Sequence, residues 1–317
     1  MTRRNPSDVA ASVRQRLLNM AKDQGEDFQL VLTRFVLERL LYRLGRSEFR
    51  DQFILKGAML FSLWGGTPHR ATRDIDLLGF GESAIARHVQ IFQTICLTRV
   101  EEDGVAFLPG SVRGIEIRED QEYYGVRITL EARLGKAWIP VQVDIGFGDA
   151  VTPAADDAEY PTTLDFPAPH LRIYPRETVV AEKFQAMVYL GMANSRMKDF
   201  YDLRIMGKTF PFEGKILAKA IEATFTRRKT ALVDALPLAL TAEFSEDPSK
   251  QTQWRAFIKR NQLAPADLSL PAVIAEIREF LQPPMNAAAR GEAFAFSWPP
   301  GGSWRRISGK RENSPAP

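Results

Sequence analysis

"HRATRDIDLLGF", residues 69–80, sets three basic residues, His69, Arg70 and Arg73, against two aspartates and then turns apolar. In an extended strand, side chains two apart point the same way, ~6.5–7 Å from each other. Asp74 and Asp76 therefore share one face, while Ile75 and Leu77 take the other. Two like charges that close repel unless a cation sits between them, and Mg²⁺ suits such a place. It is hard and is commonly held by one or two carboxylates plus substrate phosphates. A bare D-x-D more often just begins a strand at a solvated end, so its neighbours decide. Upstream, in "LKGAML" (55–60), Gly57 lets backbone approach a ligand closely and Lys56 supplies charge. Gly65, Gly66 and Pro68 make a turn, and Arg70, Thr72 and Arg73 crowd the acids. A small-residue turn, cationic groups and paired strand carboxylates are what a nucleoside triphosphate and its metal require.

The flanking sequence gives this strand a setting. Apolar positions at helical spacing predict helices over residues 8–22, with Ser7 as N-cap, over 27–44, closed by Gly45, and over 82–97. "VRGIEIRED", "YYGVRITLEARLG" and "KAWIPVQVDIGFGD" read as three consecutive strands joined by short turns. Residues 149–170, rich in Pro and Asp, read as a loop. Beyond Ile173 the pattern is helical, over 175–192, 197–207, 213–226, 252–262 and 271–282, the first helix opening on Pro and Glu as helix starts prefer. Six prolines and four glycines between Pro283 and Pro317 predict a disordered tail. The expected divisions are 1–170, a mixed α/β half, 171–282, a helical half, and 283–317, the tail.

Bulk properties are those of a globular protein of 317 residues. The net charge of +3 hints at nucleic acid, but the segment from Pro283 onward holds five Arg/Lys and two Asp/Glu. Removing those from the totals of 42 and 39 leaves 37 bases against 37 acids, so the body is neutral. Any polyanion site must come from local clustering. No stretch reaches the ~18 apolar residues needed to span a bilayer, and no signal-type run follows the charged start. A single cysteine, Cys96, on the apolar face of "IFQTIC", cannot form an internal disulfide or build a zinc site. A cytoplasmic protein with no membrane partner is expected. His69, His88 and His170 show no metal-ligand spacing. The aromatic and basic groups of "SWPPGGSWRR" could meet a partner, although disorder alone explains that composition.

"KGAML…RATRDIDLLGF" resembles the nucleotidyltransferase core shared with polymerase β-like enzymes, in which a Gly-Gly or Gly-Ser pair precedes a D-x-D strand. More narrowly, the chain resembles the AbiEii/AbiGii toxins of type IV toxin–antitoxin and phage abortive-infection systems. "VQVDIGFGD", "ETVVAEKFQAM" and "NSRMKDFYDL" extend that resemblance, which spans roughly residues 50–205, with four blocks in the family's order. Ala58 departs from it, standing where the family has Gly or Ser. The resemblance implies an α/β (α+β) fold, a polymerase β-like mixed sheet with helices followed by a helical C-terminal domain. It implies a growth-inhibiting enzyme that moves a nucleotide from an NTP to an acceptor hydroxyl, with the 3′ end of transfer RNA as one acceptor, and a separately encoded antitoxin. Nucleotidylation of a small molecule or protein, or a non-enzymatic nucleotide-binding module, are the alternatives.

In this frame Asp74 and Asp76 would hold Mg²⁺ or Mn²⁺, and Lys56, Gly57, Arg70, Thr72 and Lys183 would contact the nucleotide. Asp144 alternates with Val143 and Ile145, so it faces away from its strand's apolar side. It is either a third carboxylate, if its strand neighbours the first, or a strand-end acid on a solvated face. Lys183 lies amid Val179, Val180, Phe184, Met187 and Leu190 on a helical wheel. An ammonium there must reach a counter-charge, on nucleotide phosphates or elsewhere, or snorkel to water. On either reading Lys183→Met is expected to remain stable. Asp199 and Asp202 share a helix face, as an exposed first turn would also arrange. The resemblance implies that Asp199 belongs to the site beside Lys183. Asp144 and Asp199 both remain candidates for the third acid.

Overall fold

The computed structural model describes residues 6–65, 70, 72–118, 124–263 and 268–307. Gly66 and Pro68 of the expected turn, His69, and residues 308–317 of the expected tail lie outside them. The chain divides into two compact units. The first spans residues up to Asp149 plus Ala155–Tyr174, and the second holds Ala150–Ala154 and the chain from Pro175 onward.

In the first unit the elements follow the order α1 (Pro6–Gln24), α2 (Phe28–Arg46), β1 (Phe53–Lys56), α3 (Leu60–Gly65), β2 (Asp74–Gly79) and α4 (Ile85–Cys96). Then come β3 (Val105–Arg118), β4 (Tyr124–Leu134), β5 (Ala137–Phe147), β6 (Asp156–Glu159) and β7 (His170–Ile173). The strands form one seven-stranded sheet in the order β3-β4-β5-β2-β1-β7-β6. It is mixed: β2 runs parallel to β5 and β1 parallel to β7, while the other neighbours are antiparallel.

The alternation read in the sequence explains the sheet's two faces. Ile139, Val141, Val143 and Ile145 of β5 are buried, and the residues between them are half-buried or exposed. Ile75 and Leu77 of β2 and Val126 and Ile128 of β4 join them in the core. Each such side chain contributes roughly 1.5–3 kcal/mol relative to exposure. Two strands carry no alternation for opposite reasons. In β1, Phe53, Ile54 and Leu55 are all buried. In β6, inside the expected loop, "DDAE" forms the outermost strand, where charge discourages further pairing. Helix α2, capped by Asp27, is buried almost all round and carries Glu38, Arg39 and Arg43 inward. There Arg39 and Arg43 both pair with the buried Asp103.

The second unit is mostly helical: α5 (Arg176–Leu190), α6 (Met197–Thr209), α7 (Gly214–Arg227), α8 (Ala242–Glu246), α9 (Pro248–Arg260) and α10 (Leu270–Arg290). Short strands β8 (Phe212–Glu213), β9 (Phe296–Trp298) and β10 (Arg305–Arg306) form a small separate sheet. The expected disorder from Pro283 is corrected here. Helix α10 runs through Pro283 and Pro284 to Arg290, ending on Gly291 in the left-handed region. Pro284, Met285 and Ala287 are buried, so tertiary packing outweighs the backbone hydrogen bonds the prolines cannot make. Trp298 and Trp304, whose surroundings were expected to be disordered, instead pack on Phe280, with ring centroids 4.9 and 6.1 Å away. Their indoles donate to the carbonyls of Gly207 and Phe280 at 2.7 and 2.9 Å.

Candidate active site

Strand register builds the site. Lys56 pairs with Asp76, Asp76 with Asp144, and Asp144 with Arg127. Residues directly opposite on neighbouring strands project to the same face. The sheet therefore carries a lateral row across β1, β2, β5 and β4 that reads cation, acid, acid, cation. Asp74, two residues before Asp76, joins from the same face. One carboxylate oxygen from each of Asp74, Asp76 and Asp144 lies within 4.8 Å of the others, and all three residues are half-buried. Three hard oxygen donors at that spacing fit Mg²⁺ or Mn²⁺ and would repel one another without positive charge.

The neighbours fix these acids in place. Thr72 donates its hydroxyl hydrogen to Asp74 Oδ1 at 3.0 Å. Arg127 grips Asp144 with two prongs, Nε to Oδ1 and Nη2 to Oδ2, each 2.7 Å. Gln142 adds its amide to Oδ2 at 3.2 Å. The hydrogen bond to Asp144 and the charges of Asp144, Asp74 and Asp76 hold the Arg127 guanidinium more firmly protonated than usual, against the effect of burial. Lys56 Nζ donates to Asp149 Oδ2 at 3.1 Å. Gly57 has φ +77°, and a β-carbon there would overlap the Asp76 carboxylate. Ala58, the departure from the family pattern, is buried in the turn that follows. Arg70 is half-buried in the bend before β2. A cavity of about 660 Å³ is lined in part by Arg73, Arg113, Thr129, Glu131, Gln142 and Val141.

The second unit holds the other expected residues. Lys183 on α5 reaches Asp199 Oδ1 at 2.6 Å and Asp202 Oδ2 at 2.8 Å, both on α6. Arg196 Nε reaches Asp199 Oδ2 at 2.7 Å. Burial alone would raise the Asp199 carboxyl, but Lys183 and Arg196 outweigh it and hold it below the usual carboxylate range. The reading of Asp199 and Asp202 as an exposed helix start is corrected: their side chains are 1% and 0% exposed. The lysine in an apolar stripe has its counter-charges within its own unit. Within the first unit Asp144 lies with Asp74 and Asp76.

Arg127, Gln142 and Asp149 were missed by sequence reasoning. Arg127 stands on the polar side of the alternating "VRITLEA", so its face was legible, but its partner depends on register. Asp149 closes "VQVDIGFGD" one residue after Gly148, whose φ is +79°. Cys96 is buried as expected, and burial pushes its thiol up to about 12. Among the described residues no helix is long and apolar enough to cross a membrane.

No curated protein matches the chain significantly. Two solved structures are similar to it: a Helicobacter pylori chain provisionally described as a nucleotidyltransferase, and JHP933 from Helicobacter pylori. Each is 14% identical with a TM-score of 0.49, over 84% of this chain and 96% and 94% of their own. A family described as "Nucleotidyl transferase AbiEii toxin, Type IV TA system" matches residues 39–283, well over half of the 317. The D-x-D strand and the three later blocks all fall inside that match, and the chain belongs to the AbiEii nucleotidyl transferase toxin family of type IV toxin–antitoxin systems.

Proposed function

We propose that this protein is a divalent-metal-dependent nucleotidyltransferase toxin, which moves a nucleotide from an NTP to an acceptor hydroxyl, with the 3′ end of transfer RNA as acceptor and a separately encoded antitoxin as partner. The observation that carries the chemistry is the convergence of Asp74, Asp76 and Asp144 oxygens within 4.8 Å. Mg²⁺ or Mn²⁺ held there would offset charge on the triphosphate and make the acceptor hydroxyl easier to deprotonate. The chain's own residues do the rest. Gly57 leaves room at the Asp76 carboxylate, Thr72 orients Asp74, and Lys56 and Arg70 supply positive charge for phosphate. The hydroxyl oxygen bonds to the α-phosphorus, the bond to the β-phosphate oxygen breaks, the hydroxyl proton is released, and pyrophosphate leaves. The cavity lined by Arg73 and Arg113 favours a phosphate-bearing acceptor. Lys183 and Asp199 are proposed as required for the same transfer.

The test supplies each α-labelled NTP with total RNA, with transfer RNA and with cell protein, and follows label and pyrophosphate together. Label on the 3′ end of transfer RNA, abolished by EDTA and restored by excess Mn²⁺, supports the reading. Label on protein would redirect the acceptor, and absence of pyrophosphate from every mixture would sink the enzymatic reading.

A further inference from the structure

We infer that Arg127 is a positioning residue: it holds Asp144 in one orientation with one lone pair presented to the acid cluster, and it keeps the cluster's affinity for a divalent cation below that of three free carboxylates. This rests on the metal reading proposed above. An ionised carboxylate offers about four lone-pair sites. Arg127 takes one on each oxygen of Asp144, and Gln142 takes another on Oδ2. What remains is one site on Oδ1, so Asp144 can ligate through a single oxygen and cannot chelate.

A planar two-pronged grip fixes direction as well as distance, which a lysine at the same place could not do. The grip also has a cost. A cation entering among Asp74, Asp76 and Asp144 meets the guanidinium charge beside one of its ligands, held from the neighbouring strand. At a separation of ~5 Å in a watery site, one added positive charge weakens binding of a divalent ion about ten-fold. Arg127 thus trades affinity for geometry, and its removal should move the two in opposite directions. A residue that merely supported the fold would move them together.

The experiment measures Mn²⁺ binding to the full chain by electron paramagnetic resonance without nucleotide, beside a thermal melt and the transfer assay. The Arg127 side chain is 35% exposed, so its variants should fold. Arg127→Gln should bind Mn²⁺ about three- to ten-fold more tightly while transfer falls at least ~10-fold. Arg127→Lys keeps the charge without the fork, so Mn²⁺ affinity should stay near that of the native protein while transfer stays low. Unchanged or weaker Mn²⁺ binding in Arg127→Gln, or native turnover in Arg127→Lys, overturns the inference. Asp76→Asn separates this from failure of the metal reading. If Asp76→Asn leaves Mn²⁺ binding unaltered, the metal reading itself falls and takes this inference with it.

Discussion

Gly57 and the Asp76 carboxylate stand so close that a β-carbon on Gly57 would lie 2.7 Å from Asp76 Cγ. The glycine also has φ +77°, where a side chain costs ~1–2 kcal/mol before any clash. Gly57→Ala should therefore lower the urea midpoint and displace Asp76 as well. Transfer should fall by ~10²-fold or more, and Mn²⁺ binding should weaken. Native activity in Gly57→Ala would show that the Asp76 carboxylate can move without consequence.

Asp76→Ala should abolish transfer and leave the fold intact. The residue is half-buried on the polar face, among acids whose mutual repulsion its loss relieves. A melt within a few degrees of native, with turnover reduced by ~10³-fold or more, is the expected pair of results. Substantial activity in the folded variant would remove the acid cluster from the chemistry.

Lys183→Met should be destabilising, contrary to the sequence expectation. The ammonium pairs with two carboxylates whose side chains are 1% and 0% exposed, and its loss takes that counter-charge from both. Breaking a buried ion pair from one side typically costs ~3–5 kcal/mol. Adding Asp202→Asn should recover part of this, because Asp199 retains Arg196. Urea unfolding of the two variants checks it; equal stability of Lys183→Met and the native protein would mean that water reaches the acids.

Acid should attack the same cluster. The Asp199 carboxyl, despite its burial, is held below its ordinary value by Lys183 and Arg196. Because the folded value is the lower one, its contribution is complete above the unfolded value. It is lost as pH falls through about 4 toward the folded value. Stability should be flat in this respect from pH 7 to about 5 and drop below. Arg196→Gln raises the folded value toward the unfolded one and should make that drop smaller, read from urea midpoints across the range.

Truncation after Gln282 should unfold much of the second unit. It would remove Pro284, Met285 and Ala287 from the core and the Trp298 indole that donates to Gly207. Truncation after Ile307 keeps all of these and should melt like the full chain. Limited proteolysis of both proteins decides between this and a dispensable tail.

Much of the site was legible in the linear sequence because the relevant physics is local. Period-two alternation put Asp74, Asp76 and Asp144 on the polar sides of their strands, and Gly57 marked a backbone needing space. The helical wheel exposed Lys183 as a charge that must find a counter-charge, though it could not name Asp202 as one of them. Where local preference and packing conflict, the sequence misled: Pro283 and Pro284 read as the end of order, yet α10 continues because its apolar face is covered.

What tertiary structure alone decided is lateral order. Nothing in the spacing of residues 56, 76, 127 and 144 says that their strands lie side by side. A shift of one residue in any pairing would send that side chain to the opposite face. Register makes the row of Lys56, Asp76, Asp144 and Arg127 and gives Asp144 a guanidinium. Side-chain direction is written in a strand's own alternation. Partnership between strands is settled by long-range backbone pairing and by the burial of the opposite face, which no single segment encodes.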